Sequence, residues 1–325
     1  MKKISVVIEW ENVQLSEMDR CRRMLRELHR QILELNARTN PALDFEILVA
    51  VNEHIPPALV RAELAQAFQP ADPHIEWRLT LATGLNYYAL KNIGAQQSVG
   101  DIIFFLDSDV IPEPGWLATL LNSFGNPDVN VVAGHTYLDQ SDFLGRAMAL
   151  SWLFSLRATE AVLKESPVFH ANNFAIRRGL VGKFEFPKMM PGATRGACVQ
   201  LAVAWRNSGM KIHQHTGAQV SHPPPNGGRH FFIRGLAQGR DDLLLRRTFR
   251  GQSWFGRESY RELRRSYAAM FAGGKAICRQ REKAGLSRRE VPLALGVVVM
   301  YWHCRLMGAW AMQFFPKFTG NHFRI

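Results

Sequence analysis

Short apolar runs alternate with amphipathic stretches through the first third of the chain. Ile4 to Ile8, Phe45 to Val51, Ile75 to Leu81 and Ile102 to Leu106 are brief and largely apolar, the pattern of strands in a parallel sheet. Between the first two, Met18, Cys21, Leu25, Leu28, Ile32 and Leu35 recur at three- and four-residue spacing. That predicts an amphipathic helix over Ser16 to Asn36, with Ser16 as its cap. Pro57 to Phe68 and Leu85 to Gln97 are further predicted helices. Strands and helices joined by short connections predict a doubly wound α/β sheet with its ligand site at the carboxyl edge. Beyond it, Trp116 to Phe124 is read as a helix, Val129 to Gly134 as a strand, and Asp142 to Glu165 as mostly helical. Gln219 to His222 is a strand halted by Pro223, Pro224 and Pro225.

The fourth strand stops at Asp107-Ser108-Asp109, and Pro112 and Pro114 prevent its continuation. Two carboxylates at i and i+2 on a central strand end suit a hard divalent cation, Mg²⁺ or Mn²⁺, bridging to a substrate phosphate. The same residues would serve equally as caps for the helix that begins near Trp116. Upstream lie Lys91-Asn92-Ile93-Gly94 and Gly100-Asp101, and downstream Pro114-Gly115-Trp116-Leu117. In this order the series resembles the nucleotide-sugar glycosyltransferases of family 2, which have the GT-A fold, and the resemblance runs over about residues 3 to 225.

The resemblance implies a Rossmann-like, mostly parallel sheet flanked by helices in residues 1–225, with a donor half (1–109) and an acceptor half (110–225). It implies a glycosyltransferase that moves a sugar from a nucleoside-diphosphate donor with inversion. The metal would sit on Asp107 and Asp109, joined by His222. Asn12, Asn52, Glu53, Lys91, Asn92, Asp107 and Ser108 would face the donor, with Lys91 neutralising the diphosphate. Trp116, His170, Asn172 and Asn173 would lie on the acceptor side. Glu9 and Glu11 depart from the family pattern after the first strand. A larger departure follows: Ala197 and Cys198 occupy the positions of the family's acidic base, and no Asp or Glu occurs from Phe186 to Arg240. Neither residue transfers a proton efficiently. Three explanations stay open: a histidine base (His170, His213 or His215), an acceptor that is already ionised, or a catalytically silent protein that binds the donor without turnover.

The net charge of +12 over 325 residues adds an anionic partner to the picture. Arginine-rich segments fill residues 226–325, which are expected to form a basic, partly apolar, membrane-associating helical extension. Val291 to Phe315 is long enough to cross a bilayer, but Arg305 near its middle would cost about 2.5–3.5 kcal/mol there. A helix lying in the interface, flanked by basic residues, is the preferred reading; a transmembrane span and a buried core helix are the alternatives. Four widely spaced cysteines are expected to be reduced thiols, and Ile4 to Ile8 is too short for a signal-peptide core. The expected location is the cytoplasmic face of the membrane, peripheral or anchored at the carboxyl terminus, and the expected acceptor a lipid-linked or cell-envelope glycan. Nucleic acid is not an expected partner, since no recognised binding module is present; a basic nucleic-acid binder is the weaker alternative reading of the charge.

Overall fold

The computed structural model describes residues 3–14, 17–69, 72–183, 185–189, 192–250 and 255–322. The cap expected at Ser16 lies outside them. The amino-terminal alternation follows the expected order: β1 (Lys3–Glu9), α1 (Met18–Asn36), β2 (Asp44–Asn52), α2 (Pro57–Ala67), β3 (Ile75–Ala82), α3 (Tyr87–Gln97) and β4 (Ile102–Asp107). Then come β5 (Ile111–Pro112), α4 (Trp116–Ser123), β6 (Val131–Leu138), α5 (Phe143–Met148), β7 (Leu163–Glu165), β8 (Asn173–Arg177), α6 (Ala197–Asn207) and β9 (Ile212–His222). The strands form a single sheet in the order β3-β2-β1-β4-β8-β6-β9-β5, with β7 paired to β9. It is parallel from β3 to β4 and antiparallel where β8 joins β4 and β6.

By internal contact the chain sorts into two compact units. The first holds residues 1–136, 157–187 and 197–222. Its core buries Ile4, Val6 and Ile8 of β1 with Phe104 and Leu106 of β4 and Leu25, Leu28 and Ile32 of α1. Because Val7 and Phe105 are buried as well, both faces of the central strands are covered, which explains their unbroken apolar runs. Gly94 and Gly100 are there for close approach. A Cβ at Gly94 would fall 2.4 Å from Cγ1 of Val7, and one at Gly100 would fall 2.5 Å from the Ser5 amide nitrogen.

The segment expected to be mostly helical, Asp142 to Glu165, is not. Only Phe143–Met148 is helix, started by Asp142, whose carboxylate accepts from the Gly145 amide at 2.6 Å. Downstream, Ser155 accepts from the Leu138 amide and Leu163–Glu165 pairs with His213 to His215 of β9. Pairing of the backbone thus overrides helix propensity.

The second unit holds residues 137–156, 188–196 and 223–325. Its long helices are α7 (Gly227–Arg250), α8 (Phe255–Gln280) and α9 (Val291–Phe314), followed by α10 (Pro316–His322). The α9 helix packs on α7, α8, α5 and α10. At the α7–α9 contact a Cβ on Gly239 would lie 1.8 Å from the Arg305 carbonyl oxygen, and one on Gly308 would lie 1.9 Å from that of Leu236. The two backbones touch, so Gly308→Ala should destabilise the full chain by about 1–3 kcal/mol through overpacking, read as a lower denaturation midpoint. Arg240 locks the same unit: its buried guanidinium donates to Asp241 Oδ1 (2.7 Å), the Thr319 carbonyl (3.1 Å) and Thr194 Oγ1 (2.9 Å).

Candidate functional site

The carboxyl ends of β1, β2 and β4 lie side by side, with Glu9 level with both Ala50 and Asp107. Asp107 is nearly inaccessible there and its carboxylate is fully engaged. Oδ1 accepts from Lys91 Nζ (2.6 Å) and the Tyr87 hydroxyl (2.9 Å); Oδ2 accepts from Asn12 Nδ2 (3.0 Å) and the same hydroxyl (2.8 Å). Three donors thus surround the carboxylate, the Tyr87 hydroxyl being shared between its two oxygens. The ammonium of Lys91, itself 0 % exposed, takes one acceptor position of Asp107 Oδ1. The structure places Lys91, expected to face the donor diphosphate, against Asp107.

Asp109 is placed differently. Its Oδ2 lies 3.7 Å from Nε2 of His222, at the end of β9. The two are brought together because β5, which begins two residues after Asp109, pairs with β9 in the register Ile111 to Ser221 and Pro112 to Val220. Arg20 of α1 ties the corner: its Nε donates to the Asp109 carbonyl (2.6 Å), and one Nη donates to the Ser221 carbonyl (2.8 Å) and hydroxyl (2.9 Å). Donors on one octahedral Mg²⁺ or Mn²⁺ sit about 3 Å apart, and such ions bind through one or two protein groups plus substrate phosphates. Asp109 and His222 fit that pattern. Among the described residues no group of three or more His, Cys, Asp or Glu is suited to a metal, so water and substrate oxygens would complete the shell. Ser108 is fully buried, its hydroxyl without a partner among the described residues.

Several expected contact residues turn out to build the frame. Asn92 closes a two-way bond with the Phe186 backbone (2.9 and 3.0 Å), and Asn52 does the same with Leu85 (2.6 and 3.0 Å) while also donating to Glu11 (2.9 Å). Glu53 is exposed at the end of β2. Trp116 is wholly inside the core and donates to Asn173 Oδ1 at 2.8 Å, which leaves it no face for an acceptor. The Asn173 amide also reaches the Ala218 carbonyl (3.3 Å). Asn172 accepts from the Thr136 hydroxyl (3.0 Å), and its own carbonyl receives the Asp107 amide (3.3 Å).

The three histidines proposed as a base part company here. His213 and His215 lie nine and seven residues before His222 on β9, roughly 20–30 Å along an extended strand, and both pair across to β7. His170 belongs to the Asn172 loop at the edge of β4. Burial, aided by neighbouring His135 on β6, holds its imidazole down to about 4. Cys198 is near the same loop, beside the Tyr88 hydroxyl (3.9 Å), and burial pushes its thiol up, so it stays neutral. Ala197 is fully buried.

Tyr87, Arg20 and His135 were missed. Tyr87 precedes Lys91 by one helical turn, a spacing that puts both on one face. Arg20 acts on groups 89 and 201 residues away, and His135 meets its partner only through the β6–β8 pairing.

A stretch of 91 residues is 36% identical to the pre-mycofactocin glycosyltransferase of Mycobacterium tuberculosis, in strain CDC 1551 / Oshkosh and in strain ATCC 25618 / H37Rv. It covers 27% of this chain and 19% of those proteins, so the chain spans about a fifth of the length of the curated relatives it matches. Among solved structures, the mannosyltransferase PcManGT from Pyrobaculum calidifontis, in complex with GDP-Man and Mn²⁺, superposes with a TM-score of 0.56 at 15% identity. That likeness covers 97% of this chain and 87% of the other, and it establishes the GT-A-like fold. The model of the family described as Glycosyl transferase family 2 matches residues 19–184. The match takes in just over half of the chain, with Lys91, the acidic turn and the asparagine loop all inside it, and the chain therefore belongs to glycosyl transferase family 2.

Proposed function

We propose that the chain is a metal-dependent glycosyltransferase that moves a sugar from a nucleoside-diphosphate donor to a hydroxyl of a lipid-linked or cell-envelope glycan, with inversion, at the cytoplasmic face of the membrane. The observation that carries this reading is the meeting of Asp109 with His222 at 3.7 Å, next to an Asp107 held rigid by Lys91, Tyr87 and Asn12. Family membership supports it, as does the GDP-Man and Mn²⁺ held by the PcManGT structure of similar fold. A divalent ion on Asp109 and His222, Mg²⁺ or Mn²⁺, would supply positive charge for the departing diphosphate. Asn12 and Asn52 shape the nucleoside side, and Glu53, exposed beside them, accepts from ribose hydroxyls. His170 takes the place of the missing acid. An imidazole held at about 4 is unprotonated at neutral pH, as an ordinary carboxylate is, and so is ready to receive the acceptor proton.

Calorimetric titration with UDP-, GDP- and dTDP-sugars, with and without Mn²⁺, tests the reading when released nucleotide is followed in the same samples. Metal-dependent binding with slow release supports it. Metal-dependent binding without release, membrane lipid and glycan being present, favours the silent donor-binding protein suggested by Ala197 and Cys198. Asp109→Ala should remove metal-dependent donor binding with the fold intact; unchanged donor affinity would refute the metal assignment.

A further inference from the structure

The positive charge of the chain is concentrated in one part. Residues 226–325 contain 19 Lys and Arg against 6 Asp and Glu, a net +13, which leaves −1 for the first 225 residues. In the helical unit those charges flank an apolar face. Ala294, Val298, Tyr301 and Met312 of α9 are buried, whereas Leu293, Met300, Met307, Trp310 and Phe314 are exposed at intervals of seven, seven, three and four residues. The α8 helix adds Phe271, 71% exposed, and Tyr267, whose ring meets His303 edge-on at 6.0 Å. Exposed basic residues accompany this face: Arg264, Lys275, Arg288, Arg289 and Lys317.

Alongside lies a cavity of about 140 Å³ lined by Arg246, Arg265 and Arg305 together with Asp242, Ser266 and Trp302. One water needs about 10–15 Å³, so there is room for a group of several heavy atoms. Among the described residues, three arginines and one aspartate line it. Arg305 pairs with Asp242 and lies 3.9 Å over the Trp302 ring. Its Nε, and Nε1 of Trp302, are nevertheless buried donors without an acceptor among the described residues, an unfavourable state that a ligand oxygen would relieve. Ser266 and Trp302 also line the adjoining apolar depression with Tyr267 and His303.

We propose that this face docks the protein on an anionic membrane, with α9 lying in the plane of the interface and the arginine cavity holding the phosphate of a phospholipid headgroup. The proposal deepens the membrane part of the reading above and rests on it. A spanning course does not suit α9, because one side is covered by protein helices and Arg305, at mid-helix, is paired within the unit. An interfacial helix buries one apolar face and sets basic residues among the headgroups, and the guanidinium fork matches phosphate geometry.

Co-sedimentation of the full chain with vesicles of phosphatidylcholine, alone or carrying phosphatidate or phosphatidylglycerol at matched surface charge, provides the test. Wild type should bind phosphatidate vesicles about tenfold more tightly than neutral ones, and more tightly than the charge-matched phosphatidylglycerol vesicles. Arg246→Gln and Arg265→Gln should each weaken that binding about tenfold, and Arg265→Lys, which keeps the charge without the fork, should remain weakened. Wild-type affinity in all three variants, or no preference between the two anionic lipids, overturns the headgroup site while leaving membrane docking intact. Failure of wild type to bind any vesicle overturns both. Inorganic phosphate bound as tightly as the vesicles overturns the lipid assignment, and so does tighter binding to a DNA duplex. The lipid comparison on unaltered protein decides the matter even if a variant misfolds.

Discussion

Replacing Lys91 with Met is expected to destabilise the chain by about 3–5 kcal/mol, the range for removing one partner of a buried ion pair. The pair is enclosed from every side: Lys91 is 0 % and Asp107 3 % exposed, and Nζ reaches Oδ1 at 2.6 Å. With the ammonium gone, Tyr87 and Asn12 would still donate to the carboxylate, but its charge would be uncompensated in a medium that solvates it poorly. Introducing Asp107→Asn into the same chain removes the second charge and should recover most of the loss, since the two effects are coupled. Denaturant midpoints of the two single variants and the double variant measure this. A single-variant loss below about 1 kcal/mol would match an exposed pair and contradict the burial.

His170→Gln should lower the turnover rate by about 10²–10⁴-fold, the contribution of a positioned general base, with donor affinity unchanged. Its pH behaviour separates this role from a structural one. The imidazole is shifted from its ordinary 6.5 to about 4, so it is already unprotonated at pH 5.5. The wild-type rate should therefore be flat between about pH 5.5 and 7.5 with respect to this group, falling only toward the folded pKa. Stability carries the opposite face of the same shift. The unfolded chain binds the proton near 6.5 and the folded chain does not until about 4, so folding weakens as pH drops through that window. His170→Gln should flatten that dependence. A rate limb near 6.5 that vanishes in the variant would show that the group titrates in contact with solvent.

How much of this was visible in the residues depends on distance along the chain. Buried parallel strands announce themselves, because covering both faces demands the unbroken apolar runs of β1, β2 and β4. The acidic turn was equally plain, since prolines end the strand where the carboxylates stand. What the turn does was not. One aspartate faces an ammonium and the other an imidazole, a division set by α3 on one side and β9 on the other. Asn52, Asn92, Asn173 and Trp116 are expected at the ligand through the family resemblance, yet each completes a bond to distant backbone or to another side chain. Asp142 to Glu165 misled for a related reason: its residues favour a helix, and only the pairing with Leu138 and β9 draws them out of it.

The Arg20 fork has a consequence for how this corner tolerates change. Successive side chains of a strand point to opposite faces, so a one-residue slip of β9 would replace His222 by Ser221 and turn the imidazole away. Arg20 reads both the carbonyl and the hydroxyl of Ser221 while holding the carbonyl of Asp109, a combination that one alignment alone presents. It works as a gauge of register: single-residue insertions in β9 before Ser221 should be rejected at this corner, whereas changes that leave the alignment of residues 111 and 221 in place should pass.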